Sequence, residues 1–151
     1  MKILVSACLM GENCKYNGGN NRDESLTELL ENHEIIMVCP EVLGGLPTPR
    51  VPSEIINGVV TNREGQVVDR EFRLGAERAL KIALDEKVSL AVLQPRSPSC
   101  GVKEIYDGSF TKKRVPGKGV FARLLEENGI PVIDAGDKEG LRAAMHPLDG
   151  G

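Results

Sequence analysis

Cys8, Cys39 and Cys100 each follow a short apolar run, and that recurrence is the strongest chemical signal in the chain. Ile3-Leu4-Val5-Ser6-Ala7 leads into Cys8, and Ile35-Ile36-Met37-Val38 leads into Cys39. Val88-Ser89-Leu90-Ala91-Val92-Leu93 leads into the loop Arg96-Ser97-Pro98-Ser99-Cys100-Gly101. Three thiolates delivered from separate loops can hold a metal or a cluster and leave one coordination position open. Among common metals, thiolates select zinc and iron–sulfur clusters. A structural zinc site closes with four ligands, usually as C-x-x-C pairs. The chain has no C-x-x-C, and no histidine lies near the three loops, so a cubane-type cluster with one open iron suits the spacing better. Standard cluster motifs, however, gather several cysteines in one run. Three core cysteines would give the same pattern, since free cysteine is among the most buried residue types. Spacing alone leaves both readings standing.

Bringing these thiols together is a task for the elements that carry them. Each apolar run is short, continuous, rich in β-branched residues and bounded by turn formers, as parallel strands buried on both faces are. Ligand sites in open α/β sheets lie beyond the carboxyl ends of the strands. Neighbouring parallel strands would therefore place the three thiols on one edge. A helix is predicted from about Asp23 to Asn32, striped by Leu26, Leu29 and Leu30. A stronger one runs from Phe72 to Glu86, with Leu74, Ala76, Ala79, Leu80, Ala83 and Leu84 on its buried side. Pro116-Gly117-Lys118-Gly119 opens a helix through about Asn128. Gly129 to Asp134 reads as a fourth strand, and Lys138 to Ala144 as a closing helix. The alternation predicts an α/β fold: one three-layer domain over 1–151 with a four-stranded parallel sheet, Rossmann- or flavodoxin-like, in order 2-1-3-4.

Residues 53–71 read as a hairpin insertion, with strands Ile55–Val60 and Gln66–Val68 and a turn at Asn62-Arg63-Glu64-Gly65. Cys39 to Pro52 is a long connection ordered by its prolines. Lys15 to Asn21 is a glycine- and asparagine-rich turn suited to backbone close to a ligand. Ile105 to Val115 reads as irregular.

The chain's 151 residues suffice for one domain with a real core. A net charge of −3 provides no electrostatic footprint for general nucleic-acid binding. Two Tyr, three Phe and no Trp argue against a stacking platform for single strands. No apolar run approaches membrane-helix length, and the N-terminus has no signal-peptide layout. The expected protein is cytoplasmic, a monomer or small homo-oligomer, with its thiols kept reduced. Other residues have a functional and a plain reading. Gly117-Lys118-Gly119 is a phosphate cradle or a tight helix entry. Lys112-Lys113-Arg114 is a solvated loop or a phosphate contact. Arg50 and Arg96 orient a ligand or pair at the surface, and His33 and His146 read as surface residues.

The motifs Ser6-Ala7-Cys8-Leu9-Met10-Gly11, Cys39-Pro40-Glu41-Val42-Leu43-Gly44-Gly45-Leu46-Pro47-Thr48-Pro49-Arg50 and Ser97-Pro98-Ser99-Cys100-Gly101, with Ile105-Tyr106-Asp107-Gly108-Ser109-Phe110, resemble a bacterial family that includes thiouracil desulfurases and was formerly a domain of unknown function. The resemblance runs from Ile3 to about Ile133, and the proline-rich block makes it specific. Known members hold a [4Fe-4S] cluster with three cysteines and keep the fourth iron for the substrate. By motif the ligands fall on Cys8, Cys39 and Cys100. Cys14 lies outside the matched positions and is expected beside the site rather than in it. Gln94 stands where relatives commonly carry lysine, which bears on the substrate and not on the cluster. The implied activity is non-redox removal of sulfur from a small thiolated nucleobase such as 2-thiouracil. The open iron captures the sulfur, water attacks the carbon, and the oxo base and sulfide are released. Such a step needs a proton shuttle, for which Glu41 and Ser99 are the candidates; their plain readings are a loop cap and a satisfied turn. The readings from other classes are a cluster-free thiol or zinc protein that handles sulfur, and a domain that binds a thiolated base or delivers sulfur.

Overall fold

The computed structural model describes residues 2–145, so His146 lies outside the described residues. In chain order the elements are β1 (Lys2–Ser6), α1 (Glu24–Leu29), β2 (Glu34–Val38), α2 (Pro40–Leu43), β3 (Ser53–Ile56), β4 (Val59–Asn62), α3 (Asp69–Asp85), β5 (Leu90–Leu93), β6 (Glu104–Tyr106), β7 (Arg114–Pro116), α4 (Val120–Glu127), β8 (Val132–Asp134) and α5 (Lys138–Met145). The four strands β2-β1-β5-β8 form one sheet in that order, with every pairing parallel. This is the sheet and the strand order that the sequence implies.

Alternation along the strands builds the two cores. Ile3, Val5, Leu90 and Val92 face one side, where Leu26 of α1 and Leu141 and Met145 of α5 cover them. Leu4, Ala91 and Leu93 face the other, against Ala76, Ala79 and Ala83 of α3 and Phe121 and Leu125 of α4. An all-parallel sheet needs both faces covered, and continuous apolar runs are the result. Each fully buried large side chain contributes about 1.5–3 kcal/mol. Asp23 starts α1 by accepting from Leu26 N at 3.1 Å, and its other oxygen accepts from Lys138 Nζ of α5 at 2.7 Å. That one side chain ties together the two helices on this face.

Glycines set the crossing of α2 on α3. A Cβ on Gly75 would lie 1.7 Å from the Pro40 carbonyl oxygen, and one on Gly44 would lie 2.0 Å from that of Glu71. Backbone packs directly on backbone, which fixes α2 and the residues around it.

Two stretches differ from expectation. The insertion hairpin turns at Asn57-Gly58, at φ 51° and 80°, and pairs Ser53–Ile56 with Val59–Asn62. Two consecutive left-handed residues make the two-residue turn whose twist suits a hairpin, and it divides the stretch 55–60 that reads as a single strand. The turn expected at 62–65 is also present: Gly65 N donates to the Asn62 carbonyl at 3.0 Å, Asn62 Oδ1 accepts from Glu64 N and Gln66 N, each at 3.0 Å, and Thr61 bridges Val67 antiparallel. Residues 105–115 are irregular only at 107–113: on either side β6 and β7 pair antiparallel, with Ile105 opposite Val115. Three-residue strands are too short to show a period. Among the described residues, no helix is long and apolar enough to cross a membrane.

Candidate active site

Ser6 and Val38 lie opposite each other in register, and Val5 lies opposite Val92. The chain therefore leaves β1, β2 and β5 side by side at one sheet edge. Cys8 follows in the single 3-10 turn Ala7–Met10, which Gly11 closes at φ 97°. The asparagine-rich turn packs against it: Asn21 N donates to the Cys8 carbonyl at 2.9 Å, and Asn21 Nδ2 faces Cys8 Sγ at 3.6 Å. Cys39 is the cap residue of α2, with Pro40 in the first turn, where a missing N–H costs nothing.

Cys100 ends a loop folded around Ser97, whose Oγ accepts from Ser99 N and Cys100 N, each at 3.1 Å. The start of α4 seals this loop from behind. Val120 N donates to the Pro98 carbonyl and Phe121 N to that of Ser99, both at 2.8 Å. A Cβ on Gly119 would sit 2.4 Å from the Ser99 carbonyl carbon. Gly117-Lys118-Gly119 is thus a tight helix entry, because its first N–H groups are already taken by loop carbonyls.

All three thiols, together with Cys14, line one cavity of about 410 Å³. That lies in the size range of small-ligand pockets. All four cysteines are free, and Cys100 is the buried one. Among the described residues, no three Cys, His, Asp or Glu side chains converge as they would on a single ion. A lone zinc needs every sulfur within about 2.3 Å of one point. An all-sulfur donor set lining one cavity suits an iron–sulfur cluster.

The thiols differ electrostatically. Burial pushes both Cys8 and Cys100 up. Cys39 is lowered to about 7, chiefly by a hydrogen bond from the Cys14 thiol, which with the Val42 N–H outweighs burial. Cys14 is raised because its proton is held in that bond. When protonated, Cys39 Sγ faces the Cys14 carbonyl at 3.9 Å. Cys14 thus lines the same cavity, engaged with Cys39.

Glu41, in the first turn of α2, has its two oxygens held from different sides. Its Oε1 accepts from Arg50 Nε at 2.9 Å, and its Oε2 accepts from Ser99 Oγ at 2.8 Å and faces Ser97 Oγ at 3.5 Å. Ser99 Oγ also lies 3.8 Å from Cys100 Sγ. A polar chain thus runs Arg50–Glu41–Ser99–Cys100 along the cavity wall. The Arg50 side chain is only 7% exposed and reaches the Cys14 carbonyl through Nη2 at 2.8 Å. Arg50 is therefore not a surface partner: it braces the carboxylate. Its place at the end of a proline-ordered block was the available signal.

Arg96 and Lys112 line the same cavity, at φ 67° and 66°. Arg114 pairs with Glu104 at 3.9 Å, and His33 is half-buried. Reasoning from sequence missed Ser6, Asn21 and Ser97 as site residues. Ser6 Oγ accepts from Gln94 N at 3.0 Å, tying the end of β1 to the loop after β5.

The model of the 2-thiouracil desulfurase family matches residues 3–137. An uncharacterized protein of Bacillus subtilis (strain 168), YbbK, is 39% identical over 141 residues, covering 87% of this chain and 93% of its own. Among solved structures, that of a [4Fe-4S]-dependent thiouracil desulfidase, TudS, is similar with a TM-score of 0.89 at 38% identity, over 96% of this chain and 97% of that one.

Proposed function

Since this chain belongs to the 2-thiouracil desulfurase family, we propose that it hydrolyses the thiocarbonyl of a thiolated base such as 2-thiouracil at a [4Fe-4S] cluster held by Cys8, Cys39 and Cys100. The observation that carries this reading is the Glu41–Ser99–Cys100 chain, which sets a carboxylate and a hydroxyl beside the thiols in one ligand-sized cavity. Bound there, the cluster would supply a soft Lewis acid with one open position for the substrate's sulfur.

The rest is work for the protein's own side chains. The reaction exchanges sulfur for oxygen: water gives its oxygen to the ring carbon and two protons to the departing sulfur, and no electrons are transferred. Glu41 Oε2 is the atom that takes and returns a proton. Arg50 holds the other oxygen, so Oε2 is the one left facing Ser99. Ser99 Oγ, between Oε2 and the ligand sulfur, relays the proton and fixes the water. Arg50 keeps the carboxylate from turning, because its own guanidinium is held by Cys14 O and Thr48 Oγ1. Asn21 Nδ2 donates towards the Cys8 sulfur, the kind of outer support that orients metal ligands, while Ser99 Oγ, whose proton goes to Glu41, lies against the Cys100 sulfur.

The test is anaerobic reconstitution followed by incubation with 2-thiouracil and no added oxidant or reductant. Uracil and sulfide should appear one for one. Cluster-loaded protein that binds 2-thiouracil without turnover would make the chain a binding or sulfur-delivery domain instead.

A further inference from the structure

The chain has two tyrosines, three phenylalanines and no tryptophan. Phe72 and Phe121 are core residues, 1% and 0% exposed. The other three aromatics, Tyr16, Tyr106 and Phe110, all line the cavity that holds the thiols. Phe110 is set apart by how it is held. It sits at φ 59°, a left-handed conformation that a bulky side chain adopts rarely. Such conformations persist only where the surroundings over-determine them, and they concentrate at ligand clamps.

Here the surroundings are explicit. Glu54 of β3 is a buried carboxylate, and its Oε1 accepts from Gly108 N at 2.9 Å and Phe110 N at 3.2 Å. Gly108, at φ 95°, is pressed onto the same strand: a Cβ there would lie 2.9 Å from Ile56 Cγ1 and 3.0 Å from the Ile55 carbonyl oxygen. Arg63, in the bend after β4, lays its guanidinium over the ring, 5.9 Å from the centroid. Phe110 belongs to neither core cluster, so packing of the fold does not explain this effort.

We propose that Phe110 is the stacking platform for the substrate's planar ring, and that Glu54 is its positioning residue. The ring's identity rests on the desulfurase reading; the platform itself does not. An open metal position takes any thiocarbonyl, cyclic or not. A rigid aromatic face opposite the Arg63 guanidinium selects a flat heterocycle and sets its carbon against the polar wall.

Equilibrium dialysis of uracil against the cluster-loaded protein tests this, because uracil presents the ring without the sulfur. Phe110→Ala should weaken uracil by about 5- to 150-fold, as loss of one base–aromatic stack does. Phe110→Tyr should keep the affinity. Glu54→Leu, which releases the loop, should behave like Phe110→Ala, while Glu54→Gln, which retains an acceptor oxygen, should restore binding. Iron content should be the same in all four. The KM for 2-thiouracil should rise with uracil's dissociation constant while kcat holds, the mark of binding shared by ground and transition states. Equal uracil affinity in Phe110→Ala and wild type, or no uracil binding by wild type, overturns the proposal. Uracil binding that depends on Phe110 in a protein that leaves 2-thiouracil intact refutes the desulfurase reading and keeps the platform.

Discussion

Glu41 gives a sharp expectation because its two oxygens have different partners. Glu41→Gln keeps the shape of the side chain but cannot carry the proton. Desulfurisation should fall by roughly 10²–10⁴-fold, the usual contribution of an acid–base group, with iron content unchanged. Single-turnover assays alongside iron analysis check this. A wild-type rate would make Glu41 a structural brace for Ser99, and lost iron would make it support for Cys39. That the three cysteines, Glu41 and Ser99 would share one cavity was legible in the sequence, because they stand next to strand ends and inside matched motifs. The bracing role of Arg50 and the places of Asn21 and Ser6 were not, because they rest on hydrogen bonds between separate loops, such as Arg50 Nη2 to Cys14 O across 36 residues. No local pattern encodes such a bond.

The parallel strands were readable for a physical reason: a strand buried on both faces shows an unbroken apolar run, and Ile3, Leu4 and Val5 are all 0% exposed. Shorter elements gave weaker signals. The Asn57-Gly58 turn is flanked by β-branched residues on both sides, so its two short strands look like one, while the turn at 62–65 stands where the sequence puts it. The single-turn helix α2 was hidden in a proline-rich block, although proline in a first turn is itself a helix start signal. The α2–α3 crossing had no sequence signature beyond two glycines, and it makes an unusual expectation. Glycine to alanine inside a helix ordinarily stabilises by about 1 kcal/mol. Gly75→Ala should instead destabilise by about 1–3 kcal/mol or more, because the new methyl meets a carbonyl oxygen that cannot move without shifting α2. Urea unfolding measures the sign, and a stabilised variant would show that the crossing is looser than drawn. The variant should also lose iron, since Cys39 and Glu41 travel with α2.

Seen whole, the molecule places residues 8, 39 and 100 on one edge by putting their strands next to one another in the sheet, and two small hairpins stand over the same cavity. Composition argues against general nucleic-acid binding, but it could not show that the aromatics outside the core all gather at one place. The family became legible through motifs matched along the chain, and the geometry adds which groups touch. The central claim is that three strand-end thiols, and not the fourth, hold the cluster. Its most direct test is iron and sulfide analysis after anaerobic reconstitution of wild type and four single variants. Wild type should hold about four irons per chain. Cys8→Ala, Cys39→Ala and Cys100→Ala should each lose most of that iron, and Cys14→Ala should keep it. Full iron content in all three of the first variants, or its loss in Cys14→Ala alone, would contradict the assignment.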